Sequence, residues 1–154
     1  MAEFCLRPAA QADSEAIRQI IRQTRLNPMG LDWRRFVIAE TPGGDFAGCG
    51  QIKPHRGRIL ELASLAVAEP YRGQGVARLL IQRLLADEPF CPVYLTCRSE
   101  LGGFYKKFGF RALSLAEMPS YYRWLSRLAS LLLAFSESRM LVMALGMPIV
   151  EKRV

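Results

Sequence analysis

Residues 61–77 read ELASLAVAEPYRGQGVA, an apolar run followed by a turn-forming segment and the start of a second apolar segment. The first part predicts a strand, and apolar residues recur at helical spacing from Gly75 onward. Gly73 and Gly75 can adopt positive φ angles and let a ligand approach the backbone closely. Free N–H groups at the start of a helix attract anions, and Arg72 adds a charged donor. The stretch therefore predicts a phosphate cradle or, as the alternative, an ordinary glycine-rich turn.

Two common nucleotide-binding motifs do not fit this turn. A dinucleotide-binding fingerprint requires G-x-G-x-x-G, but Arg78 stands where the third glycine would be. A Walker A loop ends in G-K-S/T, which the sequence does not contain. The turn is therefore neither of these two phosphate-binding loops.

Outward from this stretch, the apolar pattern predicts a chain in which strands and helices alternate. Asp13 is a suitable N-cap for the first helix, and Gly109 suits the position just after the third. We expect an antiparallel meander in the first half and a parallel strand pair in the second, hence a mixed α/β sheet in one domain, 1–154. The predicted strands are 3–7, 36–40, 46–53, 59–67, 92–96, 110–113 and 139–145, and the predicted helices are 14–25, 75–86, 101–108 and 119–135.

The composition is that of a globular protein, because 51% of the 154 residues are hydrophobic and 23% are charged. The four cysteines, at positions 5, 49, 91 and 97, form no C-x-x-C pair, and the single histidine is His55. This scatter predicts reduced thiols and no structural metal site, a pattern typical of a cytoplasmic protein.

The net charge of +7 predicts an anionic partner. Nucleic acid, an anionic membrane surface and a polyanionic small molecule would all fit. Because no run of five basic residues occurs, nucleic acid is not expected. The N-terminal residues lack the features of a secretory signal. The uncharged and mainly apolar run 128–136 is too short to span a bilayer, so we expect a cytoplasmic protein without a transmembrane segment.

Two motifs resemble the GNAT family of N-acetyltransferases. The family's pyrophosphate loop follows the pattern Q/R-x-x-G-x-G/A, which is Arg72-x-x-Gly75-x-Ala77 here. Farther along, residues 104–110 read FYKKFGF, which is similar to the family's second signature, F-Y-x-K-x-G-F. Their order and their position after a three-strand meander extend the resemblance over roughly residues 4–113 and the last strand.

The resemblance implies a GNAT-type domain that binds acetyl-CoA between two splayed parallel strands, 59–67 and 92–96, with an extra helix before the last strand. It also implies an oxyanion donor in the backbone near Val67. Arg98 departs from the pattern, since many members carry asparagine there. The residues implied to contact the cofactor are Leu65, Ala66, Val67, Arg72, Gly73, Gln74, Gly75, Val76, Ala77, Arg98 and Tyr105.

Two side chains are candidates for proton transfer. Tyr105 matches the family's tyrosine beside the CoA sulfur, which implies that it is the general acid for the thiolate. The alternative is a core aromatic residue beside Phe104 and Phe108. Glu61 is the only carboxylate within its apolar strand, where some members carry a general base. The alternative for Glu61 is a surface charge at the strand end near Arg58.

The acceptor is less well defined by the sequence. Residues 121–128 read YYRWLSRL, which predicts a helix packed on the core. The alternatives are a substrate wall containing Tyr122, Arg123 and Trp124, a homodimer face, or an interfacial membrane helix. Several short matches also resemble, loosely, the acetyl-transfer domain of N-acetylglutamate synthases. We therefore expect a small-molecule amine such as an amino acid, with a protein acetyltransferase and a non-catalytic CoA-binding module as alternatives.

Overall fold

A computed structural model of the chain describes residues 3–88, 92–134 and 136–146. Over these residues the fold is mixed α/β, with seven strands and four α-helices in the predicted order. The chain divides into two compact units, Met1–Pro89 and Phe90–Val154, and each is described by itself. The prediction of a single domain stays a prediction, as does the parallel pairing of 59–67 with 92–96, which would join the two units.

The first unit is built on the predicted antiparallel meander. Its four strands pair in chain order, each antiparallel to the next. Two of them begin and end where the sequence predicted, and the others differ by a few residues at their ends. The strands are β1 (Cys5–Pro8), β2 (Phe36–Glu40), β3 (Phe46–His55) and β4 (Ile59–Val67), and the helices are α1 (Ser14–Gln23) and α2 (Val76–Ala86).

Two glycines on β3 allow α2 to pack close to the sheet. A Cβ on Gly48 would lie 2.6 Å from the backbone oxygen of Ala66 and 3.2 Å from Val76 Cγ1. A Cβ on Gly50 would lie 3.0 Å from Leu84 Cδ1. The contact with the Ala66 backbone excludes a side chain at Gly48, and the contacts with α2 are so tight that Val76 or Leu84 would have to shift to admit one. The first turn of α2 is thereby fixed beside the end of β4.

The opposite side of the meander carries α1, whose Ile17, Ile20 and Ile21 are buried. Asp13 stands at the predicted N-cap position, but its side chain does not cap this helix. Its carboxylate instead accepts hydrogen bonds from the N–H of Ala10 and from the Arg7 guanidinium. The predicted cap is wrong in this respect, because a nearby arginine and the preceding turn compete for the same oxygens.

The second unit is a three-stranded antiparallel arrangement with two helices. Its last strand lies in the middle, so the two outer strands run in the same direction on either side of it. Gly109 follows the short third helix with φ +92°, as predicted for this position. The elements are β5 (Val93–Arg98), α3 (Gly102–Lys106), β6 (Arg111–Ala112), α4 (Ser120–Leu132) and β7 (Met140–Leu145).

The core of this unit is organised around Tyr94 on β5. Its ring stacks on that of Tyr122 with centroids 5.4 Å apart, and neither residue is exposed. This stack attaches α4 to the sheet. Among the described residues, no helix is long and apolar enough to cross a membrane.

Candidate active site

The predicted cradle forms between β4 and α2. Gly73 and Gly75 adopt φ angles of +75° and +86°, in the left-handed region that other residues avoid. Gly75 is the N-cap residue of α2 and has no side chain with which to cap it. The N–H groups of the first turn, from Val76 to Arg78, are therefore left to solvent or to a ligand.

The space above the cradle is open. A Cβ built on Gly73 or Gly75 would meet no atom of the described residues within 4 Å. An anion can thus approach the bare backbone from that side, where the helix macrodipole favours negative charge. This geometry fits a pyrophosphate. The position of the open glycines at the N-terminus of α2 distinguishes the loop from an equally open turn such as that of Gly44.

Two side chains of the loop fold back on its own backbone. Arg72 Nε donates to the oxygen of Val67, the last residue of β4, at 3.3 Å. Gln74 Nε2 donates to the oxygen of Pro70 at 2.9 Å. Both side chains are exposed, so these bonds define the loop weakly and leave the remaining Arg72 donors available.

A bulge interrupts β4 before it reaches the cradle. Gln51 pairs with Ala63 and Cys49 pairs with Ala66, so two residues of β4 stand where β3 has one. One of them, Ser64, adopts φ +56°. Its hydroxyl accepts a 3.0 Å hydrogen bond from the fully buried Gln51 side chain. This buried contact holds the bulge in place.

Glu61 forms a close pair with His55. Their Oε2 and Nε2 atoms are 2.5 Å apart, and only 14% of the Glu61 side chain and 17% of the His55 side chain are exposed. Glu61 is thus not the solvated strand-end charge near Arg58 that the sequence left open. A carboxylate hydrogen-bonded to a largely buried imidazole is a proton-accepting arrangement found in many enzymes.

Tyr105 lies on α3 in the second unit and is half-buried. Its ring makes edge contacts with Phe104 and Phe110, at centroid distances of 5.1 and 6.1 Å. Burial, with a smaller contribution from Cys97, raises the pKa of the Tyr105 phenol to about 12. The phenol therefore keeps its proton throughout the neutral and mildly alkaline range. It can act as a hydrogen-bond or proton donor, and it also has the aromatic contacts of the alternative interpretation.

Comparison with known proteins identifies the family. The family described as acetyltransferase (GNAT) domain matches residues 32–112, which is more than half of the chain and includes the cradle and Tyr105. The chain belongs to the GNAT family. It is an N-acetyltransferase, as the two motifs predicted.

Relatives with known sequences or structures agree with this assignment. An uncharacterized N-acetyltransferase of Chlorobaculum tepidum is 29% identical over 131 residues, which cover 77% of this chain and 82% of the relative. The GNAT fold is shared with Rv2747 from Mycobacterium tuberculosis, solved in complex with CoA, at a TM-score of 0.67 and 20% identity over 92% of this chain and 99% of that one.

N-acetylglutamate synthase from Neisseria gonorrhoeae, solved with coenzyme A and L-arginine, shares the same fold. It matches at a TM-score of 0.69 and 22% identity over 92% of this chain. The chain spans about a third of that synthase, since the match covers 33% of its length. The loose resemblance that the sequence suggested is therefore confirmed at the level of the fold.

The three residues that were predicted to form a substrate wall differ in how exposed their side chains are. Tyr122 is fully buried against Tyr94, a position that does not fit a substrate wall. Arg123 is half-buried and donates through Nη2 to the oxygen of Met118 at 3.0 Å. Trp124 is exposed. Of the three, only Trp124 presents a large accessible surface.

The remaining predicted contacts lie at strand ends. Leu65 and Val67 are half-buried on β4, whereas Ala66 is buried toward α1. Arg98 is exposed at the end of β5, where its neighbour Ser99 bonds to the backbone of Arg139 through both its N–H and its hydroxyl. Within the described residues, no three side chains of His, Cys, Asp or Glu are grouped as metal ligands would be.

Sequence reasoning missed His55, although a signal for it was present. In an antiparallel hairpin, residues on one face are opposite or diagonal neighbours. The register pairs Lys53 with Glu61 and His55 with Ile59, which places His55 diagonal to Glu61 on the same face. Counting outward from the turn at Gly57 would have found the pair. The sequence pattern does not predict the contact between Gln51 and Ser64, because that contact depends on the bulge.

Proposed function

We propose that this N-acetyltransferase uses acetyl-CoA to acetylate the primary amine of a small molecule, such as an amino acid or another amine, in the cytoplasm. The observation that carries the proposal is the open cradle, in which two left-handed glycines expose the first turn of α2. Family membership supports the reaction class. Relatives of the same fold that were solved with coenzyme A support the cofactor.

Different residues in and before the cradle would bind different parts of the cofactor. The N–H groups from Gly73 to Ala77 would bind the pyrophosphate, while Arg72 would add a charge-assisted bond. The backbone of Leu65–Val67 would pair with the pantetheine arm. When bound, acetyl-CoA supplies an acetyl group activated as a thioester.

Glu61 and His55 would accept the proton of the incoming amine. An amine is mostly protonated at neutral pH and must lose a proton before it can attack. The 2.5 Å contact couples the two side chains, so a proton taken by one is stabilised by the other. The pair would therefore work as a unit, either directly or through a water molecule.

Tyr105 would stabilise the departing thiolate. A thiol with an ordinary pKa of about 8.5 is a stronger acid than a phenol whose pKa is about 12. Complete transfer of the phenolic proton to the thiolate is therefore unfavourable. Tyr105 would act mainly as a hydrogen-bond donor that keeps its proton, and it would need no reprotonation between turnovers.

The chemistry of the acceptor rests on two supports. The chain carries a net charge of +7, which suits a substrate bearing a carboxylate. A neighbour of the same fold, the Neisseria gonorrhoeae N-acetylglutamate synthase, was solved with coenzyme A and N-acetyl-glutamate. An α-amino acid is therefore the acceptor class we would test first.

A turnover screen tests the proposal. The full chain would be incubated with acetyl-CoA and separate panels of amino acids, simple amines and Lys- or N-terminal peptides, with release of free thiol as the readout. We expect turnover with amino acids or amines and little with peptides. Turnover with peptides alone would show a protein acetyltransferase. Cofactor binding without turnover in any panel would favour the non-catalytic module.

A further inference from the structure

The apolar surface of α4 is wider than the part that the fold buries. At about 100° per residue, Tyr122 points to the core, and the half-buried Leu125 and Ala129 lie on one side of it. Beyond them, the adjoining face carries residues that are large, apolar and exposed. We call this set the α4 stripe; its members are Tyr121, Trp124, Leu128, Leu131 and Leu132.

The exposure of the stripe is large for a surface helix. Trp124 is 62% exposed, Leu131 78% and Leu132 76%. Two other exposed large apolar side chains, Met29 and Leu115, lie in separate loops. Isolated exposed residues are ordinary, whereas a contiguous apolar patch of this kind marks an interaction surface.

The charge around the stripe indicates the chemistry of its partner. The sequence of α4, SYYRWLSRLASLL, contains no acidic residue, and the exposed Arg127 lies along one edge of the stripe. Residues 92–146 contain seven arginines and lysines but only three glutamates. The unit that carries the stripe therefore has a positive net charge, and Arg127 places part of it at the edge of the stripe.

We propose that the α4 stripe docks on the surface of an anionic lipid bilayer, with the helix lying in the plane of the interface. Trp124 and the leucines would enter the boundary between headgroups and acyl chains, while Arg127 would remain at the level of the phosphates. The 13 residues of α4 suit this position, since the helix is too short to cross the membrane.

A second copy of the chain is a poorer occupant of the same surface. Two helices related by a two-fold axis perpendicular to them run antiparallel, and the same edge of each then faces the other. The Arg127 side chains of the two copies would thus lie along neighbouring edges. Like charges in this position destabilise the pair, and α4 has no carboxylate to neutralise them.

Vesicle binding tests the proposal independently of catalysis. Trp33→Phe leaves Trp124 as the only tryptophan, whose emission then reports on its environment. We expect a blue shift with vesicles of phosphatidylglycerol, little change with phosphatidylcholine, and loss of binding as salt is raised. In sedimentation of the same vesicles, Leu128→Ser with Leu131→Ser should weaken partitioning by about tenfold or more. Arg127→Glu should also weaken it.

Leu115→Ser is the matched control, because Leu115 is an exposed leucine outside α4. It should bind vesicles like the parent chain, and circular dichroism should show that every variant is folded. Three results would overturn the proposal: no binding to either vesicle, equal binding to the neutral vesicle, or stripe variants that bind undiminished. A homodimer that dissociates in the stripe variants would assign the surface to a second copy instead.

Discussion

The cradle and the helix that carries Tyr105 serve the proposed reaction by opposite means. The cradle acts through main-chain N–H groups, and its glycines matter because they lack a side chain. On α3, the backbone is ordinary and one phenolic oxygen carries the expected function. The cradle should therefore be sensitive to any added Cβ, whereas the tyrosine should be sensitive to the loss of a single atom.

The largest expected effect comes from filling the cradle. Gly75→Val places a branched side chain where a pyrophosphate would lie, at a residue whose φ of +86° already disfavours it. We expect acetyl-CoA binding, measured by calorimetry, to be abolished. Gly44→Val is the matched control, because Gly44 has φ +89° and open space around it in a distant turn. Equal affinity of the parent and the Gly75 variant for acetyl-CoA would show that the cofactor does not bind at this loop.

Removing one oxygen tests the other half of the comparison. Tyr105→Phe should lower kcat by about 10²-fold or more while leaving acetyl-CoA affinity nearly unchanged. Tyr121→Phe, a change of the same atom on the exposed α4 stripe, should leave kcat as it is. An unaltered kcat in the Tyr105 variant would return this residue to a purely aromatic role in packing.

The pH dependence of the same step sharpens the assignment. The phenol of an ordinary, solvated tyrosine loses its proton near about pH 10. Because the pKa of Tyr105 is raised to about 12, the donor stays protonated below that pH. We therefore expect kcat to show no fall due to Tyr105 between about pH 8 and pH 10. A loss of activity centred near pH 10 that disappears in Tyr105→Phe would contradict this.

The proton-accepting pair should respond to pH in the opposite sense. Glu61→Gln preserves shape but removes basicity, so kcat/KM at neutral pH should fall by about 10²-fold. The deficit should shrink as pH rises, because more of the amine is then already neutral. Glu15→Gln, on the exposed face of α1, is the control and should have no effect. A deficit that is constant with pH would mean that Glu61 positions the substrate instead.

His55 offers a second test of that pair. If the two side chains act together, His55→Ala should cause a loss similar to that of Glu61→Gln, and the double variant should lose little more. Additive losses, measured as kcat/KM of the single and double variants at one pH, would show that the residues act independently.

The smallest effect is expected where the cradle does use a side chain. Arg72→Ala should weaken acetyl-CoA binding by roughly 1.5 kcal/mol, the lower end of the range for a charge-assisted bond, because Arg72 is exposed. Calorimetry against Arg78→Ala, a neighbouring exposed arginine, would separate this contact from a general effect of charge. Equal weakening in both variants would leave only the net charge as the cause.

The order of elements could be predicted from the sequence because each strand and helix carries its own apolar period. The ends of β2 and β4 were found to the residue; turn-forming residues follow β2 at Pro42–Gly44 and precede β4 at Gly57. The third helix was predicted too long at both ends. A 3-10 turn occupies Ser99–Leu101, and the sequence pattern does not separate such a turn from the helix it precedes.

The candidate site was predictable where a local motif defines it and not where distant residues meet. The cradle follows from contiguous residues, and its glycines have the predicted left-handed angles. Asp13 failed as a helix cap because Arg7 competes for its carboxylate. The bulge at Ser64 has no local signal, since it arises from the register of two strands.

That bulge changes how mutations can be tolerated in β4. Before Ser64, odd-numbered residues such as Glu61 and Ala63 share the face of Gln51, whereas after it the even-numbered Ala66 does so. Ser64 is thus the point in the strand at which odd- and even-numbered residues exchange faces. Deleting Ser64 itself would restore regular alternation and leave both ends of the strand on their present faces. An insertion or deletion that kept the bulge in place would instead turn one end over and exchange buried for exposed side chains there. Loss of the bulge residue should therefore disturb this strand less than a single-residue insertion or deletion elsewhere in it.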